Sequence, residues 1–192
     1  MTETSDEYGD LPVLETARLR LRPIRRDDAG AMFEYASDPL VTQYLQWRTH
    51  ESLEDTHDYI TALLDRQEHP DLAPWGIEHR QDGRLIGSCD FHNWNLEHAR
   101  AELGYVLARE YWRQGYMTEA VRAVVACGFD TMSLNRIEAL CRLPNVASAR
   151  VLEKAGMRFE GVLRQYLFAH GVYHDYKIYA LLREEYSTDV TG

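Results

Sequence analysis

The stretch "REYWRQGYMTEAVRAVVACGF", Arg109 to Phe129, decides the fold because it joins a short apolar strand to an amphipathic helix. The strand is "AELGYVLA", Ala101 to Ala108, and the helix is predicted from about Thr118 to Phe129. Gly115 stands at the junction and has no Cβ to keep a ligand from the backbone. The first N–H groups of a helix lack partners and favour anions, so this loop is a candidate phosphate site. An ordinary strand-to-helix turn explains the same glycine.

A second predicted helix also begins directly after a strand. "NVASARVLEKAG" follows the strand "RIEALCRL", with Asn145 as a good N-cap and Ser148 inside the first turn. Gly156 is expected to end this helix as a left-handed cap. Either the two polar residues only cap the helix, or two helix N-termini on neighbouring strands hold one long ligand.

The rest of the chain shows either the period-two hydrophobic pattern of a strand or the helical pattern of period 3.6. "RLRLRPI" predicts a strand from Arg18 to Ile24 with its arginines on a solvated face, and "RDDAGAMFEYASDP" predicts a helix capped by Asp27 or Asp28 and stopped by Pro39. "ESLEDTHDYITALLDRQ" predicts a second helix. A hairpin then turns at Asp82-Gly83, and two long strands around "AHG" finish the chain. The order is strand, two helices, three strands, helix, strand, helix, two strands, which is typical of a mixed α/β (α+β) domain built on one sheet.

Composition excludes several classes of protein. The chain has 192 residues and a net charge of -10, which argues against nucleic-acid binding and is compatible with a cationic substrate or with solubility alone. Cys89, Cys127 and Cys141 form no C-x-x-C pair, so we expect reduced thiols and a cytoplasmic protein. We expect no metal site, no signal peptide and no membrane span. The predicted organisation is an acidic flexible tail over 1–12, one domain over 13–186, and a flexible tail over 187–192.

Three segments together carry a resemblance to a known family. "AELGYVLAREYWRQGYMTEA", "LPNVASARVLEKAGMRFEGVLR" and "HGVYHDYKIYALLREEY" resemble the GNAT acetyltransferase superfamily, and more narrowly the branch that acetylates N-terminal alanine and other N-terminal amines of ribosomal proteins. The opening "LETARLRLRPIRRDDA" fits that branch too, so the resemblance covers roughly residues 13 to 186. It implies a seven-stranded mixed, twisted sheet that splays between its fourth and fifth strands, flanked by about four helices. Acetyl-CoA is the implied co-substrate, lying in the gap.

The resemblance also implies which residues hold acetyl-CoA. The pantetheine arm is expected along the end of the fourth strand, the pyrophosphate at the loop that follows it, and the sulfur near the second helix N-terminus. The implied residues are Tyr105, Val106, Leu107, Arg113, Gln114, Gly115, Tyr116, Met117, Thr118, Asn145 and Ser148. Two side chains depart from the superfamily loop: Trp112 replaces a glutamine or arginine, and Met117 replaces a glycine or alanine.

Acetyl transfer to an amine needs a proton acceptor, an oxyanion donor and a leaving thiolate. Glu102 is the candidate base, with Asp90 and His92 as neighbours on the preceding strand, and a cross-strand ion pair explains Glu102 equally well. A backbone N–H near Val106 or Leu107 is the candidate oxyanion donor. By resemblance Ser148 is the leaving-group acid, with Tyr116 and Tyr166 as alternatives. The glutamate that pairs with this serine in some members falls near Leu167, which cannot serve.

The amine is expected between the loop after the first helix and the last hairpin. The candidate acceptor residues are Tyr44, Trp47, His92, Trp94, Tyr166, Tyr173 and Asp175, whose aromatic members can equally be packing. A protein N-terminal amine is the leading acceptor and an antibiotic or polyamine the alternative. A non-catalytic CoA-binding module and an α/β interaction domain that binds no ligand remain open, as does a homodimer.

Overall fold

Eight strands form one mixed sheet in the order β1-β2-β3-β4-β5-β6-β8-β7. The structure, a computed structural model, describes residues 11–65 and 74–186. The strands are β1 Leu14–Glu15, β2 Leu19–Pro23, β3 Trp75–His79, β4 Arg84–Asn95, β5 Arg100–Leu107, β6 Arg136–Arg142, β7 Arg158–Ala169 and β8 Val172–Leu182. All neighbouring pairs are antiparallel except β5 with β6, which run parallel.

The helices of the described residues are α1 Ala29–Ala36, α2 Pro39–Thr42, α3 Leu53–Asp65, α4 Tyr116–Asp130 and α5 Val146–Lys154. The mixed α/β fold class is confirmed, but the counts of seven strands and about four helices are each one short. The extra strand is β1, whose two residues are too few to show a period. The extra helix is α2, which Pro39 opens at its first position, where the missing proline N–H costs nothing.

The expected splay lies between β5 and β6, the fourth and fifth strands of the sequence prediction. Only Arg100, Ala101 and Glu102 of β5 pair with β6, opposite Arg136, Ile137 and Glu138. From Leu103 onward β5 pairs with β4 alone, whereas β6 stays paired with β8 as far as Arg142. A wedge-shaped gap therefore opens toward the carboxyl ends of the two strands.

The two faces of the sheet differ in what covers them. The larger core lies under α4 and α5, where Val121, Leu152 and Ile137 are fully buried. A smaller cluster with α1 and α3 covers the other face over β4. Along β6, residues facing α4 and α5 are buried while Glu138, Leu140 and Arg142 on the opposite face are only half-buried. The open part of the sheet thus lies on the α1 side of the gap.

Of the three arginines that the sequence predicts on a solvated face, Arg18 and Arg20 are exposed and Arg22 is buried. Arg22 is 6% exposed and pairs with Asp28 at 2.7 Å and Glu78 at 2.6 Å. Asp28 occupies the N-cap position of α1, but its carboxylate bonds Arg22 and the Arg25 N–H instead of capping the helix. Arg20 fits the prediction, since it is exposed beside Glu15, and so does the exposed Arg18 just before the strand.

Leu11 and Pro12, the last two residues of the expected tail, contact the folded domain. Leu11 packs against the larger core, and the Pro12 carbonyl accepts a hydrogen bond from the Trp75 indole at 2.8 Å. Residues 1–10 and 187–192 lie outside the described part. The three cysteines are buried free thiols, as expected. Within residues 11–65 and 74–186 no helix combines the length and apolar character that crossing a membrane requires.

Candidate active site

The backbone of β5 offers unpaired groups to the gap. The Ala108 N–H donates to Ile86 on β4, so alternation along the strand turns the Val106 groups toward β4 and those of Tyr105 and Leu107 toward the gap. The Leu107 carbonyl is taken by the Trp112 indole at 2.8 Å, while its N–H faces the gap. Of the two expected oxyanion donors, Leu107 therefore has the suitable direction and Val106 does not.

The loop after β5 has the geometry of an anion site at a helix start. Gly115 is the N-cap of α4 with φ +84°, and Arg113 has φ +62°. The first helical bond runs from Glu119 to Gly115, so the N–H groups of Tyr116, Met117 and Thr118 lack helical acceptors. The helix starts at Tyr116, two residues before the predicted start.

The side chain of Met117 does not crowd this loop. It is 6% exposed and belongs to the core under α4 and α5. Because the thioether points inward, the larger side chain leaves the backbone donors accessible, and the departure from a small residue does not narrow the loop.

Arg18 of the chain segment before β2 also reaches this loop, which the sequence did not predict. Its Nε donates to Glu119 of α4 at 2.7 Å and its Nη1 to the Gln114 carbonyl at 3.0 Å. The guanidinium lies over the Tyr116 ring at 4.1 Å from the centroid. Thr16 adds a hydrogen bond to Glu119 at 2.7 Å. Local sequence patterns do not predict this contact, because about a hundred residues separate Arg18 from Glu119.

At the other side of the gap, α5 begins as predicted. The Asn145 side chain accepts a hydrogen bond from the Ser148 N–H at 3.1 Å. The Tyr105 hydroxyl lies 2.8 Å from Ser148 Oγ and 3.1 Å from the Ser148 carbonyl. Burial raises the pKa of Tyr105 well above its ordinary value, so the phenol stays protonated. A hydroxyl pair therefore spans the gap, on the face covered by α4 and α5.

Glu102 lies on the opposite face of the sheet. There it forms an ion pair with His92 and is not a free base. His92 Nε2 is 3.3 Å from Glu102 Oε1, Asn93 donates to Oε2 at 2.9 Å, and His92 Nδ1 is 3.1 Å from Asp90. A Cβ on Gly104 would meet both Asp90 and His92 at 2.9 Å, so the glycine makes room for the cluster.

The protonation states follow from these contacts. Burial lowers the pKa of His92, but hydrogen bonds to Asp90 and Glu102 outweigh it and raise the pKa to about 10. Burial raises the pKa of Glu102, but hydrogen bonds from His92 and Asn93 hold it below its ordinary value. Near pH 7 His92 is therefore an imidazolium between Asp90 and an ionised Glu102, and Glu102 is a weak base whose two oxygens are both engaged.

The loop after α2 and the last hairpin meet, as the sequence suggested for the acceptor region. The Gln43 carbonyl accepts from Arg142 Nη1 at 2.8 Å, and the Leu45 carbonyl lies 3.1 Å from His170 Nε2 at the hairpin tip. Tyr44 lies under the Arg142 guanidinium, 5.5 Å from its ring centroid.

Other candidate acceptor residues have different surroundings. Trp47 packs with His50 and Tyr59, and Asp175 of β8 accepts from the Gln165 N–H of β7 at 2.8 Å, which ties the two strands together. Trp94 packs against the core under α4 and α5. Along the β7–β8 hairpin, Tyr166 is 50% exposed and Tyr173 is 64% exposed. Of the expected acceptor set, Tyr44 lies beside Arg142, His92 belongs to the Glu102 cluster, and Tyr166 packs edge-on against Tyr176 with the ring centroids 6.3 Å apart.

Comparison with known proteins agrees with this geometry. A family model described as "Acetyltransferase (GNAT) domain" matches residues 18–158. The "Uncharacterized N-acetyltransferase YoaA" of Bacillus subtilis (strain 168) is 39% identical over 172 residues, 90% of this chain and 97% of the relative. "Spermidine N(1)-acetyltransferase" of Escherichia coli (strain K12) is 24% identical over 157 residues, 82% of each chain.

Two solved structures share the fold. "Mycobacterium smegmatis RimJ in complex with CoA-disulfide" has a TM-score of 0.81 and 26% identity, covering 92% of this chain and 90% of that chain. A structure described as "RimL- Ribosomal L7/L12 alpha-N-protein acetyltransferase in complex with Coenzyme A" has a TM-score of 0.80 at 21% identity, covering 89% and 98%. The chain belongs to the GNAT acetyltransferase family and is an N-acetyltransferase.

Proposed function

We propose that this protein transfers an acetyl group from acetyl-CoA directly to the N-terminal α-amine of a peptide or protein. The observation that carries the proposal is the parting of β5 from β6 after three residue pairs, with the start of α4 at its mouth. The gap supplies strand-like backbone partners for the amide-containing arm of CoA. The N–H groups of Tyr116, Met117 and Thr118 suit its pyrophosphate.

The residues on both sides of the gap suit the sulfur end of the donor. The Tyr105 O–H has two acceptors within reach, the Ser148 carbonyl at 3.1 Å and Ser148 Oγ at 2.8 Å, and donation to Oγ leaves the Ser148 O–H free to turn toward a thiolate. The Leu107 N–H is directed into the gap, where an acyl oxygen needs a donor. These hydroxyls and backbone donors are uncharged, and they suit the acyl thioester, which is also uncharged.

The reaction then balances simply. The amine nitrogen gives its lone pair to the carbonyl carbon, and the C–S bond breaks with its electron pair leaving on sulfur. The nitrogen loses a proton to solvent water on the side of the Asp90–His92–Glu102 cluster, and the sulfur gains one from water or from Ser148, which regains its proton from water. The products are an N-acetylated amine and CoA.

The protonation state of the cluster favours an α-amine as the acceptor. Glu102 has both oxygens engaged and a lowered pKa, so it is a poor base for an alkylammonium of pKa about 10.4. An α-amine has a pKa of about 7.7–8.0 and is partly neutral at pH 7.5 without a strong base. The fold shared with a protein α-amine acetyltransferase is consistent with this choice, and the buried thiols suit a reducing cytoplasm.

Two measurements test the proposal. Calorimetric titration with acetyl-CoA, with ADP and acetyl-pantetheine as partial ligands, is expected to give binding that needs both halves of the molecule. Release of CoA is then followed with a panel of unblocked hexapeptides, the same peptides with acetylated N-termini, and spermidine. Turnover confined to unblocked peptides supports the assignment. Turnover of spermidine alone contradicts it in favour of a small amine, and binding without turnover contradicts it in favour of a CoA-binding module.

A further inference from the structure

We propose that Arg142, His174 and Tyr176 form an anion subsite at the rim of the acceptor cleft, which takes a carboxylate of the acceptor. The acceptor is then a peptide N-terminus with Asp or Glu among its first four residues. This inference rests on the proposed function, because it specifies which N-terminal amines the same site accepts.

The charge of Arg142 is uncompensated. Its Nη1 donates to the Gln43 carbonyl at 2.8 Å, its Nη2 lies 2.7 Å from His174 Nδ1, and its guanidinium sits over the Tyr44 ring. None of these three partners carries a negative charge. Within residues 11–65 and 74–186 no carboxylate lies within ion-pair distance of Arg142, although this chain carries 31 acidic residues. Two of the five guanidinium N–H groups are used, which leaves donors for a ligand.

The contacts of His174 hold the guanidinium in place. Both ring nitrogens lie near Arg142 Nη2, Nδ1 at 2.7 Å and Nε2 at 3.1 Å, and Nε2 is also 3.0 Å from the Ala169 carbonyl. An imidazole carries no negative charge in either protonation state, so His174 orients the guanidinium and does not neutralise it.

Tyr176 supplies a second, independent observation. It pairs with Arg142 in the β6–β8 register, so the two side chains share the open face of the sheet. Its side chain is buried, with the residue 3% exposed, and its hydroxyl has no hydrogen-bond partner in the described part of the protein. A buried hydroxyl without a partner is costly, and an acceptor atom from a ligand would satisfy it. Burial raises the pKa of Tyr176, while the charge of Arg142 acts to lower it and that of Glu102 to raise it.

The spacing between this pair and Glu102 limits the ligand. Glu138 lies beside Glu102 in the β5–β6 register, and Arg142 follows four residues later on β6. Four strand residues span about 13 Å, which is the length of about four residues of an extended peptide. An amine at the Glu102 cluster and an anion at Arg142 therefore belong to one short segment. A polyamine would place a second cation against Arg142.

The test compares peptides that differ only in charge. Hexapeptides beginning with Ser carry Asp or Glu at position 2, 3 or 4, and the controls carry Asn or Gln there. Acetylation is measured for the wild type, Arg142→Gln, Tyr176→Phe and Arg158→Gln. The last variant removes the same charge from an exposed arginine that pairs with Glu185 at the far end of β7.

The expected result is a wild-type kcat/KM about tenfold higher for at least one acidic peptide than for its amide twin. Arg142→Gln abolishes this preference, Tyr176→Phe reduces it, and Arg158→Gln keeps it, with acetyl-CoA affinity unchanged in all three. Equal turnover of acidic and amide peptides by the wild type overturns the inference, as does a preference that survives Arg142→Gln. Both of those outcomes leave peptide acetylation intact, whereas failure of the proposed function appears as no turnover of any peptide.

Discussion

The hydroxyl of Tyr105 lies 2.8 Å from Oγ of Ser148, and this contact joins β5 to the first turn of α5 across the gap between β5 and β6. Tyr105 thus has a side-chain role besides the backbone role that the family resemblance implies. Its phenol faces away from Glu102, so in the proposed mechanism proton supply to sulfur and proton removal from the amine would use opposite faces of the sheet.

Tyr105 and Ser148 are expected to act as one unit. A thiol has a pKa of about 8.5, so the thiolate of CoA leaves easily. Ser148→Ala should therefore lower kcat by less than about tenfold at pH 8. Tyr105→Phe should lower kcat equally, destabilise the fold by about 1 kcal/mol, and add nothing further to Ser148→Ala in kcat. Steady-state kinetics of the two single variants and the double variant, together with urea unfolding, measure this. Multiplicative losses in kcat would show that the two hydroxyls act separately.

Gly115 is expected to be required for the phosphates and not only for the fold. Its φ of +84° costs an alanine about 1–2 kcal/mol. Gly115→Ala should therefore weaken binding of CoA far more than binding of pantetheine, as calorimetry can measure. Gly156→Ala is the matched control, because Gly156 has φ +92° and open space at the end of α5. Equal loss of CoA affinity in both variants would mean that strain alone explains the effect.

Arg18 is expected to hold in place the loop between β5 and α4, the proposed phosphate loop. Arg18→Gln removes the ion pair to Glu119 and the hydrogen bond to Gln114, so we expect CoA to bind about three- to tenfold more weakly. Binding of pantetheine, which lacks the phosphates, should not change. Arg20→Gln is the control, since Arg20 is two residues away, exposed, and paired with Glu15 only. The same loss in both variants, or a loss shared by pantetheine, would refute a role at the loop.

The His92 cluster predicts a pH dependence of stability. The folded pKa of about 10 lies above the ordinary 6.5, so the contribution of His92 is complete below pH 6.5 and is lost as the pH rises through about 10. The difference in unfolding free energy between wild type and His92→Gln should therefore shrink between pH 6.5 and 10.5. Urea titrations across that range measure it, with the exposed His98→Gln as the control for loss of an imidazole. A difference that is constant or grows with pH would contradict the ion pair.

Local signals in the sequence were enough for most elements and for part of the site. Period-two and helical patterns predicted the strand and helix order, and Gly115, Gly156 and Asn145 have the backbone roles that their residue types favour. A two-residue strand such as β1 has no period to read. The start of α4 was placed late because a left-handed glycine N-cap is recognised by its φ and not by a side chain.

Contacts between distant segments could not be read from those signals. Arg22 lies on an alternating strand like Arg20, and only the approach of Asp28 and Glu78 buries it. The same holds for Arg18 at the phosphate loop and for Tyr105 against Ser148. Glu102 could be a base or an ion-pair partner by sequence, and the register with His92 decides what surrounds it.

The three residue pairs between β5 and β6 divide the sheet into a five-stranded and a three-stranded part. A ligand that supplies the missing backbone partners along this seam also binds the two parts to each other. At a hundred times its Kd such a ligand adds about 2.7 kcal/mol to the stability of the whole fold. Resistance to proteolysis should then follow occupancy, so that the lifetime of the protein in the cell reports the supply of its own acyl donor.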